Sequence, residues 1–147
     1  MKYSLCLAVA LGALTSSAAL ADSHALPDQA AIIEQALAGG DPATGESVFR
    51  KCQACHEVGP DAAAKVGPPL NGIVGSFLGQ TDDFRYSNTM VEMGEAGTAW
   101  TVENLDAYPT KPRDFVDRTR MTFAGLRDAD DRADVIAFLA SMSGEAE

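Results

Sequence analysis

Cys52-Gln53-Ala54-Cys55-His56 is the stretch of this chain with the clearest chemical capability. Two thiols separated by two residues, with a histidine directly after the second, form the pattern of a c-type haem attachment site. Each thiol adds to one vinyl group of the porphyrin and becomes a thioether. The neighbouring imidazole then lies beneath the ring, where it can bind iron, and the axial ligands tune the potential. Two other chemistries use a C-x-x-C pair. A thioredoxin-like redox pair belongs to a βαβ unit, which no nearby pattern suggests. A zinc site needs four ligands, and beyond the pentapeptide the chain offers only Cys6 and His24. His24 has no local metal partners and reads as a surface residue.

An iron held by His56 either keeps an open position or takes a second ligand. Apart from Met1, the methionines are Met90, Met93, Met121 and Met142. Met142 belongs to a helical stripe. Met90 and Met93 lie in polar, glycine-containing sequence. Met121 ends a long loop just before Phe123 and is the best candidate. A thioether is a soft ligand that raises the potential relative to histidine alone. Core packing, a common use of methionine, stands as an equal alternative on these grounds.

Helices and loops must position these groups. Asp41-Pro42 starts a helix, with an acidic N-cap and proline in the first turn. Gly45, Val48, Phe49 and Cys52 recur at i, i+3, i+4 and i+7, one face of an amphipathic helix that delivers the chain to the pentapeptide. A glycine on that face implies close approach by another helix. Val58 to Gly79 is rich in Gly and Pro and reads as loop. Within it, Gly67-Pro68-Pro69-Leu70-Asn71-Gly72 suits a wall beside the histidine. A proline carbonyl there could accept the imidazole Nδ1–H and raise its basicity.

Further on, Thr101 caps a helix over Val102 to about Tyr108, with Val102, Leu105 and Tyr108 inward and Pro109 and Pro112 stopping it. Lys111 to Arg120 is polar, without period, and reads as extended loop. Asp128 caps a last helix, in which Val135, Phe138, Leu139 and Met142 form a stripe. A short helix over residues 29–37 is expected to dock or fray, and the tail from Gly144 should fray. No repeat and no strand run is visible.

Residues 1–21 read as a secretory signal peptide, with Lys2, an apolar run from Leu5 to Leu14 and a small-x-small site at Ala19-Leu20-Ala21. The run is too short to span a bilayer. Its removal leaves 22–147, one domain's worth of chain, divided into an extension over 22–40 and a haem-binding domain over 41–147. It also removes Cys6, so an exported protein without a disulfide framework is expected, in the periplasm. The formal charge of −10 excludes a basic nucleic-acid footprint and disfavours anionic lipid surfaces. Basic residues cluster at Arg50-Lys51 and between Lys111 and Arg120. Brought together, they make a charge dipole that would orient an acidic partner.

The order of these motifs resembles the class I cytochromes c, and within them the bacterial cytochrome c2/c550 group. The resemblance runs from about Asp41 to Ser143. It rests on Gly45…Phe49…Cys52-Gln-Ala-Cys55-His56, on Gly67 to Gly72, on Phe84-Arg85-Tyr86-Ser87 and on Trp100, Tyr108 and Lys111-Pro112-Arg113. It continues through Thr119-Arg120-Met121-Thr122-Phe123-Ala124-Gly125 and closes with Arg132 to Leu139. It implies an all-α fold of about three to five helices, with long loops wrapped around one haem c bound through Cys52 and Cys55. It also implies His56 and Met121 as iron ligands, with Pro68 holding the histidine. Tyr86, Trp100 and Thr119 match positions at the haem propionates, and Tyr108 the tyrosine near the ligand sulfur. Gly45 and Phe138 match the crossing of the first and last helices. Lys51, Arg113 and Arg120 match basic positions where partners dock.

The chain departs from the family in four places. Ser76 stands where an arginine often serves a propionate, with Arg85 as a possible substitute. Pro109 falls where the family helix continues. The segment before Trp100 is slightly longer than in the mitochondrial type. The extension over 22–40 has no counterpart.

The expected function is a monomeric, single-haem electron carrier, not an enzyme and not membrane-embedded. It would shuttle one electron from a quinol-oxidising bc1-type complex to a terminal oxidase, reductase or photosynthetic reaction centre. One alternative is a dedicated electron-accepting haem subunit of a periplasmic dehydrogenase, with the extension as docking element. Another is an open-site haem protein that binds a gas or acts as a peroxidase, which requires a vacant sixth position.

Overall fold

A computed structural model describes residues 28–144. The expected leader over 1–21, its cleavage site, Cys6, His24 and the last three residues lie outside the described residues. Six α-helices follow in order: α1 (Gln29–Gly39), α2 (Pro42–Phe49), α3 (Asn88–Glu95), α4 (Val102–Thr110), α5 (Pro112–Phe115) and α6 (Ala129–Ser141), with a 3₁₀ turn over Met142–Gly144. The class is helical as expected. The count exceeds three to five because α3 and the single turn α5 occupy sequence that reads as loop. Among the described residues the extended pairing is one isolated antiparallel bridge between Phe77 and Ala99.

The scaffold is α6 with α1 and α2 packed on it. Asp41 starts α2 as its composition dictates: its side chain accepts from Thr44 N–H at 2.8 Å, and Pro42 occupies the first turn. Gly45 allows the crossing. A Cβ there would overlap the Asp134 carbonyl and come within 2.8 Å of Phe138 Cβ. Phe49 and Phe138 meet across the same contact, ring centroids 5.3 Å apart. Asp128 accepts from the backbone N–H of Asp130 and Asp131 at 2.9 and 3.1 Å, starting α6.

Burial in α6 runs without interruption from Val135 to Ala140, wider than the expected stripe. The second covered face belongs to α1, whose Ala36 is buried. The extension therefore neither frays nor projects over these residues. Gln29 of α1 also donates to the Val74 carbonyl at 2.9 Å, tying the helix to the loop that follows the proline segment.

α3 begins at Ser87, whose hydroxyl accepts from Met90 N–H at 3.3 Å. It ends in a left-handed glycine, Gly97 at φ 90°. Gly97 N–H bonds Gly94 O and Thr98 N–H bonds Met93 O, both at 2.9 Å, the paired closure of a Schellman turn. α4 continues through Pro109 to Thr110, two residues past the expected stop. The Pro109 carbonyl accepts from Leu126 N–H at 2.8 Å, and Thr110 Oγ1 donates to the Asp106 carbonyl at 2.7 Å. One tertiary bond and one side-chain bond within the helix thus hold the last turn that proline alone would weaken. Leu105 is buried, with Val102 and Tyr108 half-buried against the core.

Candidate functional site

α2 hands the chain to a tight run of turns. Cys52 N–H bonds Phe49 O at 2.7 Å, and the amides of Cys55 and His56 both bond Cys52 O at 3.0 Å. This coil turns both thiols and the imidazole toward a cavity of about 280 Å³. The nine expected site residues, namely Cys52, Cys55, His56, Pro68, Tyr86, Trp100, Tyr108, Thr119 and Met121, all line it. The rest of the lining is chiefly apolar side chains, among them Phe49, Leu70, Ile73, Met90 and Leu126.

His56 Nδ1 lies 2.8 Å from the Pro68 carbonyl. A carbonyl only accepts, so Nδ1 carries the proton and Nε2 keeps its lone pair. Burial holds the imidazole below its ordinary pKa, against the opposing pull of the Pro68 carbonyl. The ring is therefore neutral near pH 7, as a metal ligand must be. Gly67 makes room for it: a Cβ there would stand 2.6 Å from Nδ1. The loop is fixed on both sides by Gly67 N–H to Cys55 O and Leu70 N–H to Glu57 O, each 2.9 Å. Asn71 closes it with two bonds to Gly59, at 2.9 and 2.7 Å.

Met121 enters the cavity from the segment after α5. Its N–H donates to Thr119 Oγ1 at 3.2 Å, and the Thr119 hydroxyl meets the Tyr108 hydroxyl at 2.7 Å. Burial raises the Tyr108 and Tyr86 phenols above their ordinary range, so both stay neutral hydroxyls. Trp100 is buried, 5.1 Å between ring centroids from Tyr108. Arg120 donates to the Arg85 carbonyl at 2.6 Å, joining two stretches near the cavity.

The basic positions are distributed unevenly. One residue of each basic cluster, Lys51 and Arg120, lines the cavity; Arg50, Lys111, Arg113, Arg118 and Arg85 are not among its lining residues. Lys51 is also paired with Asp131 at 2.6 Å. Ser76, in the place of a family arginine, donates to Ile73 O at 2.8 Å. Met90, set aside in the sequence as part of a polar stretch, is buried on α3 and lines the cavity. The Ser87 cap and the Gly97 stop were the signals that place it there.

The donor set fits haem c: two free thiols with two residues between them, an imidazole with Nε2 available, a soft thioether and an apolar enclosure. When bound, the group supplies an iron that takes up and returns one electron. No helix among the described residues is long and apolar enough to cross a membrane.

Comparison with known proteins agrees with this chemistry. The cytochrome c family model matches residues 42–143. Cytochrome c2 of Rhodomicrobium vannielii is 46% identical over 110 residues, covering 75% of this chain and 86% of that protein. Cytochrome c-550 of Ancylobacter novellus is 41% identical over 104 residues, covering 71% and 97%. The solved structure of cytochrome c2 from Rhodospirillum centenum superposes with a TM-score of 0.67 at 42% identity, covering 71% of this chain and 99% of that one. The chain belongs to the cytochrome c family: it is an electron carrier rather than an enzyme, with one haem c attached through Cys52 and Cys55.

Proposed function

We propose that this chain shuttles single electrons in the periplasm, with His56 and Met121 as the two iron ligands. The donor is a quinol-oxidising bc1-type complex; the acceptor is a terminal oxidase, reductase or photosynthetic reaction centre. The observation that carries this reading is the meeting of His56, with Nε2 free, and the Met121 thioether in one apolar cavity. Two protein ligands leave no open coordination position, which argues against gas binding or peroxidase chemistry. A carrier also needs little rearrangement between oxidation states, and the bonded loops around His56 provide that stiffness.

Pro68 orients His56. Tyr86, Trp100 and Thr119 face the propionates, and Tyr108 lies near the thioether. Lys51 and Arg120, on the cavity lining, together with Arg113, form the docking side for an acidic partner. Their effect is steering, which salt screens. Processing after Ala21 would leave the extension over 22–40 ahead of the haem domain over 41–147. α1, the described part of the extension, packs on α6; co-purification with a dehydrogenase, lost on trimming the extension, would favour the dehydrogenase-subunit reading.

Redox titration with visible spectra tests the ligand set. Wild type should show the red absorption band of an iron–sulfur bond in the oxidised state. Met121→Ala should lose it and fall to a much lower potential. An unchanged potential would eliminate Met121 as ligand. Periplasmic fractionation, with the mature N-terminus found at Asp22, tests the localisation.

A further inference from the structure

Arg132 lies in the first turns of α6 with only 11% of its side chain exposed. A guanidinium is costly to bury unless its N–H groups find acceptors. Here Nε donates to Asp106 Oδ1 of α4 at 2.6 Å. Nη1 donates to the carbonyls of Leu126, Arg127 and Asp128 at 3.0, 2.9 and 3.2 Å. Two N–H groups thus serve three oxygens, one of them by sharing. The lysine pairs elsewhere are different: the side chains of Lys51, Lys65 and Lys111 are 52%, 42% and 72% exposed, and such surface pairs contribute little.

The three carbonyls end the segment that carries Met121. The same end is joined to α4 by the Leu126–Pro109 bond. It is pressed close by Gly125, at φ +105°, where a Cβ would meet the Thr110 carbonyl. Ahead of Met121, the segment is held by Thr119 against Tyr108. Asp106 and Tyr108 sit two residues apart on α4. One helix therefore anchors the segment both before and after Met121, and Arg132 is the fastener after it.

We propose that Arg132 is a positioning residue for Met121. By binding the Leu126–Asp128 carbonyls to Asp106, it sets how often the Met121 segment lifts out of the cavity. This rests on the reading of Met121 as iron ligand. Without the guanidinium, the Leu126 and Arg127 carbonyls lose their donor, the Asp128 carbonyl keeps only the Arg132 backbone N–H, and Asp106 loses its partner, so the segment opens locally at lower cost. A small ligand that competes with the thioether binds only the open population. Its apparent affinity rises in proportion to that population.

The test is imidazole titration of the oxidised holoprotein. Arg132→Gln is expected to bind imidazole about tenfold more tightly than wild type, with Arg132→Lys and Asp106→Asn intermediate. Ile33→Ala on α1 serves as control, lowering Tm with no change in imidazole affinity. An Arg132→Gln protein whose Tm falls while its imidazole affinity stays at the wild-type value would overturn the proposal. Should that variant fail to fold, unchanged affinity in both Arg132→Lys and Asp106→Asn overturns it equally. A wild-type spectrum lacking the iron–sulfur band overturns the Met121 reading together with this one. A band present with unmoved variant affinities defeats this one alone.

Discussion

The segments around His56 and Met121 line one cavity but are held by different means. The imidazole is fixed at its own ring, by the Pro68 carbonyl at 2.8 Å and by the bare Cα of Gly67. Among the described residues no hydrogen bond reaches the Met121 sulfur. Its position comes from its backbone N–H on Thr119, the Thr119–Tyr108 contact and the Arg132 fastening behind it. One side chain is gripped directly and the other is aimed by its surroundings. A ligand gripped at the ring moves only if the loop moves. A ligand aimed from behind shifts whenever any of several weaker contacts loosens. Faults on the histidine side should therefore disrupt the whole fold, and faults on the methionine side should surface first at the cavity.

The largest test breaks the rigid side. Gly67→Ala places a Cβ 2.6 Å from His56 Nδ1, an overpacking that costs about 3 kcal/mol. Denaturant unfolding should show the full loss, with spectral change appearing only together with unfolding. A folded variant of wild-type stability would show the loop to be less rigid than its bonds imply. A smaller change sharpens the other side. Tyr108→Phe removes one hydroxyl contact, worth about 1 kcal/mol. Global stability should fall by no more than that, while the iron–sulfur band weakens well below the unfolding midpoint. Equal, parallel losses of band and fold would erase the contrast.

The smallest effect concerns pH. The Lys65 ammonium, bonded to Glu57 at 2.6 Å, and the Ala63 N–H hold the Glu57 carboxyl below its ordinary range. A depressed carboxylate stabilises the fold above its unfolded pKa, and that contribution is lost as pH falls through the folded value. Glu57→Gln should flatten the decline of Tm in the acid range slightly, since the pair is exposed to solvent. A steeper decline in the variant would contradict the sign.

The sequence was most legible where one local signal decided the outcome. Asp41, Thr101 and Asp128 cap the helices they were expected to cap, because a short acceptor side chain before an apolar period has few other uses. The nine candidate site residues converge on one cavity, because family motifs encode a shape that spacing alone does not. What stayed hidden depends on partners distant in sequence. α3 is only eight residues long, and its apolar residues Met90, Val91 and Met93 fall within a single turn, too short a run to read as a period. The extension of α4 past Pro109 is secured by Leu126, far along the chain. Arg132 stood in the sequence only as the first residue of the closing family motif, and only the folded neighbourhood of Asp106 and three carbonyls gives it a task.

The packing of α1 has a practical corollary. The family model begins at residue 42, so a truncation drawn at that boundary would discard α1 and bare the apolar flank of α6 that it shields. Uncovered flanks of that kind recruit neighbouring molecules. Anyone trimming this protein to the family boundary should keep α1, because that helix covers α6 surface which the boundary would leave open to solvent.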